Sequence, residues 1–358
     1  MENNLILIGL AGVLVSAAPI LFASIGETFS ERAGVINLSV NGTILLSAMG
    51  SFVAAIQITK FLNGLVERGA FLSGVPNPEG VINGIGLFIG FIVGAIIGGL
   101  VALVVAFSSI TLKQSQVAVG FVLTLMTRDL SYFLGNDFMG EVGPRLGSAP
   151  LPVLKDIPIL GVLLFRADVM TYLSYLLIIL AWVWIFKTRP GLILQGVGEK
   201  PAAAYVRGAN VNRQRYIYTI LGGMLVGVAG PIYSLSVKAG WKGTISGLDG
   251  IGWIALAITI FGAWNPLRVA FGAYLFSLLQ WLGLVLQSSM PDIPSQVLQV
   301  APFPLMILTL LLVNIGNAEW IERGLASLPE GPRHFLNRLI RSLRSSPPSA
   351  LGTPFEKQ

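Results

Sequence analysis

The sequence predicts an all-α fold, a polytopic transmembrane helical bundle of about nine spans. Three observations support this. Of 358 residues, 54% are hydrophobic and 11% are charged, whereas a soluble domain carries about 25% charged residues. Several apolar runs, most clearly 82–110, exceed the roughly 18 residues that cross a hydrocarbon core. Backbone polar groups at that depth find no water and must be satisfied within the segment, so such runs read as helices.

Residues 1–4 contain no Lys or Arg. The basic start of a signal peptide is therefore missing, and 5–25 reads as a retained first span. Further helices are expected near 35–58, 82–110, 116–134, 169–186, 217–236, 249–263, 268–288 and 301–316. The seventh of the nine is short and flanked by glycine, which predicts a broken or tilted element. Gly90, Gly94 and Gly98 recur every four residues, the spacing of a close-packed helix face in a membrane.

Orientation follows from basic residues, which concentrate on the cytoplasmic side. Segment 187–216 carries Lys187, Arg189, Lys200, Arg207, Arg213 and Arg215 against one acid, Glu199. The tail carries Arg323, Arg333, Arg338, Arg341 and Arg344. Both are expected to be cytoplasmic. Segment 135–168, rich in proline and mixed in charge, reads as an external loop. Nine spans then leave the N-terminus outside and the C-terminus inside, in the inner (plasma) membrane. Residues 1–316 form the membrane domain and 317–358 a basic cytoplasmic tail, with its last dozen residues expected to be disordered. Glu27, Glu31 and Arg32 are placed in a cytoplasmic turn between the first two helices. The net charge of +6 reads as this bias and not as a nucleic-acid surface.

The motif content excludes several chemistries. Cys is absent, so thiol metal sites and disulfides are excluded. The one His, His334, lies in the tail. There is no P-loop, HExxH or G-x-S-x-G. No metal, cofactor or catalytic cluster is expected, and an enzyme reading has little to stand on. Pro201 is a helix-start residue and Gly208 a helix stop, so 201–208 reads as a short helix lying at the cytoplasmic surface or as an ordinary basic loop. A weak echo relates 34–50 to 247–262, each a Gly-rich polar start followed by an apolar run. The predicted topology runs them in opposite directions, as in the inverted repeats of transporters. Asn37, Ser39 and Asn41 recur at steps of two, which does not fit one helical face and predicts a locally unwound start.

Four separated stretches carry a resemblance. RPGLILQGVGEKPAAAYVRGANVNRQR (189–215), GETFSERAGVINLSVNG (26–42), LPVLKDIPILGVLLF (151–165) and GWIALAITIFGAWNPL (252–267) resemble signatures of ABC importer permeases of the branched-chain amino acid and simple-sugar superfamily. The likeness is to its nucleoside and simple-sugar branch and covers roughly 5–316. The sequence departs from that branch at Asn41, where an acid is usual, and at Ser39, where glycine is usual. It also departs at Ala263, where a base is common, and at Ala209, where isoleucine is preferred.

The resemblance implies a pore-forming permease for a nucleoside or simple sugar. Its expected partners are ABC ATPase subunits, a second permease (different or identical), an extracytoplasmic binding protein or lipoprotein, and membrane lipid. Polar groups are costly at membrane depth, which makes Asn37, Ser39, Asn41, Asp249 and Trp253 the candidates for a substrate pathway; Trp253 either stacks on a base or sugar ring or belongs to the interfacial aromatic belt or the packing. The resemblance also implies ATPase coupling through Glu199, Lys200, Pro201, Ala202, Ala203, Ala204, Tyr205, Arg207 and Gly208. Arg128 and Asp129 read as outer-interface residues. A stand-alone secondary transporter of a small polar solute is the alternative. It would need an intramembrane charged coupling site, for which only Asp129 and Asp249 come near.

Overall fold

A computed structural model describes residues 2–68, 77–238, 240–289 and 347–356, with the single positions 304 and 308. The chain forms α1 (Glu2–Arg32), α2 (Val40–Glu67), α3 (Pro78–Ala106), α4 (Gln116–Gly135), α5 (Leu160–Leu164), α6 (Val169–Lys187), α7 (Arg189–Glu199), α8 (Pro201–Val206), α9 (Val211–Pro231), α10 (Ile251–Phe261) and α11 (Pro266–Ser289). Among the described residues, seven helices are long and apolar enough to cross a membrane: α1, α2, α3, α4, α6, α9 and α11. α10 is apolar but has only 11 residues. The expected helix at 301–316 lies outside the described residues apart from two isolated positions. The fold is an all-α polytopic membrane bundle.

α2, α3 and α9 pack against one another through small residues. Gly90, Gly94 and Gly98 all face this seam, as their spacing predicted. A methyl group on Gly94 would come within 2.8 Å of the Gly227 carbonyl oxygen, and one on Gly98 would overlap that of Gly223. Backbones approach this closely only where side chains are absent. Both α3 and α9 end in a π-helical turn, Phe107–Thr111 and Ile232–Val237, a device common at functional sites in helices.

Two expectations are corrected. Glu27, Glu31 and Arg32 do not form a turn between the first two helices. They occupy the last two turns of α1, with Glu27 fully buried and Glu31 4% exposed. Nothing between Gly26 and Arg32 breaks a helix, so α1 runs on. Segment 187–216 is not a loop with one short helix: α7 precedes α8, with Pro190 in its first turn and the Thr188 hydroxyl accepting from the Gly191 N–H at 3.2 Å, and α9 already begins at Val211.

Candidate substrate junction and coupling surface

Residues 33–39 interrupt helical structure between α1 and α2; of the residues expected at an unwound start, Asn37 and Ser39 lie in the interruption and Asn41 in the first turn of α2. Non-helical backbone inside a membrane bundle survives only if its polar groups find partners. Side chains supply several of them here. The Ile36 N–H donates to Gln116 Oε1 at 2.7 Å, the Asn37 N–H to Glu27 Oε1 at 3.0 Å, and the Ser39 N–H to Asn37 Oδ1 at 3.1 Å. Thr124 Oγ1 donates to the Leu38 carbonyl at 2.6 Å. Glu31 accepts from Trp264 Nε1, and Arg32 Nε donates to the Trp264 carbonyl at 2.6 Å. These last two bonds tie the end of α1 to the α10–α11 turn.

The start of α2 meets the start of α10. Asn41 Oδ1 accepts from the Gly250 N–H at 2.9 Å and the Gly252 N–H at 3.2 Å, while its Nδ2 donates to Asp249 Oδ1 at 2.8 Å. Any side chain on Gly252 would overlap the Asn41 backbone, so the two elements touch main chain to main chain. Gly250, at φ 98°, adopts the left-handed conformation that only glycine takes without penalty. Asp249 directly precedes the N-cap of α10 and is bonded to Asn41 in the first turn of α2, and a negative charge near a helix N-terminus is favourable. α10 spans about 16 Å from the Trp264 turn to this junction, about half the hydrocarbon thickness of ~30 Å.

Of the residues expected at a pathway, Asn37, Ser39 and Asn41 are at most 1% exposed and bonded within the protein. Asp249 and Trp253 reach the surface, Trp253 at 37% exposure. Two further residues join them. Arg128 Nε lies 2.8 Å from Asp249 Oδ2, and the Tyr132 hydroxyl lies 3.4 Å from the same oxygen. The Arg128 guanidinium stands 5.7 Å from the centre of the Tyr132 ring. Arg128 was expected at an outer interface; the structure pairs it with Asp249. The only sequence signal for this was a base one helical turn before an aromatic residue on α4. Asp249 also lines a cavity of about 670 Å³ between α1 and α11, with Lys238, Ser277, Gln280 and Trp281. Burial, and then the neighbouring Lys242, lowers the Lys238 pKa.

The second candidate surface lies at the other end of α10 and α1. α8 begins at Pro201 and is closed by Gly208 at φ 88°, as the sequence predicted. Ala202, Ala203, Tyr205, Arg207 and Gly208 are exposed, Val206 at 86%. Gly198 leaves no room for a side chain against the Arg32 carbonyl, so α7 abuts the end of α1.

Residues 347–356 sit on this surface, and for them the expectation of disorder is corrected. The Ala350 N–H donates to the Gly198 carbonyl at 2.9 Å and the Gly352 N–H to that of Gly34 at 3.1 Å. Ser349 Oγ donates to Glu199 Oε2 at 2.8 Å, and Arg215 Nη1 to the Thr353 carbonyl at 2.8 Å. The Phe355 and Tyr205 rings are 5.7 Å apart. Lys113 Nζ lies 2.6 Å from Glu356 Oε1 and, through that bond, holds this carboxyl below the usual range.

Residues 9–313 match the family described as "Branched-chain amino acid transport system / permease component". The chain is 33% identical over 323 residues to the nucleoside ABC transporter permease protein NupC of Lactococcus lactis, covering 88% of this chain and 94% of that protein. It is 30% identical over 316 residues to the guanosine ABC transporter permease protein NupQ of Bacillus subtilis, covering 86% and 91%. It is 35% identical over 286 residues to the putative glucose ABC transporter permease protein TsgC13 of Haloferax volcanii, covering 78% of each.

Proposed function

The chain belongs to the family of branched-chain amino acid transport system permease components, the permease subunits of ABC transporters, and we propose that it imports a nucleoside, with a simple sugar as the neighbouring substrate class. The observation that carries the substrate reading is the match to relatives named for nucleoside and guanosine over 88% and 86% of this chain. The junction is chemically suited to such a ligand. Asp249, Arg128 and Tyr132 offer an acceptor, a donor and a ring, and Trp253, one turn along α10 from Asp249, is part-exposed.

In this reading Asn37, Ser39 and Asn41 shape the pathway from within, and Asp249 and Trp253 face it. The two Gly-rich starts, meeting at Asn41 and Gly252, support an inverted repeat with the pathway at its centre, the arrangement found where broken helices bind solute. Nine spans are reached by adding α10 and 301–316 to the seven long helices. The N-terminus is then outside and the tail cytoplasmic. The seat of 347–356 on α7 supports this, because it puts the tail at the same end as the basic 187–216 segment.

Residues 199–208 dock into separate ATPase subunits, and a second permease completes the pathway. An extracytoplasmic binding protein or lipoprotein delivers the solute. The test is uptake of radiolabelled nucleosides and sugars into cells lacking and then regaining this subunit, with the permease purified under mild conditions. The expected outcome is restored nucleoside uptake and an ATPase retained on the permease. Energised uptake by the permease with no ATPase bound would favour a secondary transporter instead.

A further inference from the structure

Residues 347–356 bridge four parts of the chain that lie far apart in sequence. Ala350 reaches α7, Gly352 the α1–α2 turn, Thr353 the start of α9, and Glu356 the α3–α4 turn. Two features make this a built seat. Two of the bonds join backbone to backbone, so they do not depend on mobile side chains. The third ends on Arg215, which is 1% exposed and whose Nε and Nη2 have no hydrogen-bond partner among the described residues. Withdrawing the Thr353 carbonyl would leave a buried guanidinium poorer still, an unfavourable state. Gly34, bonded to Gly352, directly precedes the unwound residues 35–39 that lead into Asn41.

We propose that residues 347–356 are a fixed staple that carries motion from the α7–α8 pair to the α1–α2 hinge, and so position the substrate junction against the coupling surface. The staple rests on the coupling reading of α8 for its role in transport, but its mechanical part is testable in the permease alone.

In the permease embedded in lipid nanodiscs, deletion of residues 347–358 is expected to speed amide exchange at 33–38 and 196–208 by about tenfold or more, since the segment closes both. In proteoliposomes with the ATPase, the same deletion should lower uptake per ATP hydrolysed several-fold while the ATPase stays bound. Lys113→Cys and Glu356→Cys, joined by a short bis-maleimide in a chain that has no other cysteine, should leave uptake unchanged, because the staple need not lift. Unchanged exchange after deletion overturns the proposal. So does a tether that stops transport, which would make the segment a releasable lid. An intact chain that binds no ATPase would overturn the coupling reading, while the exchange rates would still decide for or against the staple.

Discussion

Asn41 uses both ends of its amide, and this explains a departure from the related branch, where an acid is usual. A carboxylate could accept from Gly250 and Gly252 but could not donate to Asp249. Asn41→Asp should therefore bring two carboxylates together and destabilise the junction by about 1–3 kcal/mol, read as a lower melting temperature of the purified permease. Adding Asp249→Asn restores a donor opposite an acceptor and should recover most of the loss. If the single variant melts like the parent, the amide bond does not hold this junction. Trp253 behaves differently, because it is 37% exposed and its truncation strands no buried polar group. Trp253→Ala should lower uptake several-fold and leave melting nearly unchanged. Equal uptake would remove Trp253 from the pathway. The sequence pointed to Asn41, Asp249 and Trp253 but not to their division of labour. A polar side chain at an unwound start suits a ligand or a helix cap equally, and only its partners distinguish the two.

At the scale of elements, the glycine seam between α3 and α9 is the most exacting contact. A side chain at Gly98 would enter the Gly223 carbonyl and push the Gly227 backbone. Rigid backbone cannot yield as a side chain end can, so Gly98→Leu should exceed the roughly 1–3 kcal/mol typical of overpacking. Size-exclusion chromatography of a fluorescent fusion should show loss of the monodisperse peak; a normal peak would mean that the seam can open. This face was legible in the sequence because a spacing of four on a long apolar run has one geometric meaning. The long helices were legible for the same reason. α7 was hidden because its glycines, Gly191, Gly196 and Gly198, lower helix propensity, while packing against α1 and α6 favours the helix. The seat of 347–356 was also hidden. Its composition gives no apolar periodicity, and its bonds join residues 138 and 150 positions apart. The burial of Glu27 was unreadable until the unwound backbone that needs its oxygen was seen.

At the scale of the molecule, the arrangement links two ends of one short lever. α10 runs from the Asn41 junction to Trp264, whose indole and carbonyl are bound by Glu31 and Arg32 at the end of α1. α7 abuts that same end through Gly198. A push on α8 therefore has a continuous packed route to the Asn41–Asp249 junction, the candidate substrate site. No P-loop is present in the sequence, so in the proposed transporter the push comes from another subunit. α8 suits this contact because Pro201 and Gly208 fix its ends, and Ala202 and Ala203 present a small, exposed surface that a groove can approach closely. A flexible loop there would absorb motion without passing it on. Ala203→Arg adds a long charged side chain to that surface without touching the buried core, so the permease should fold and melt as before. ATPase subunits should fail to co-purify with it, and uptake should be abolished. Ala203 is exposed, so a stable variant that still binds the ATPase and still couples its turnover to substrate would move the coupling contact away from α8.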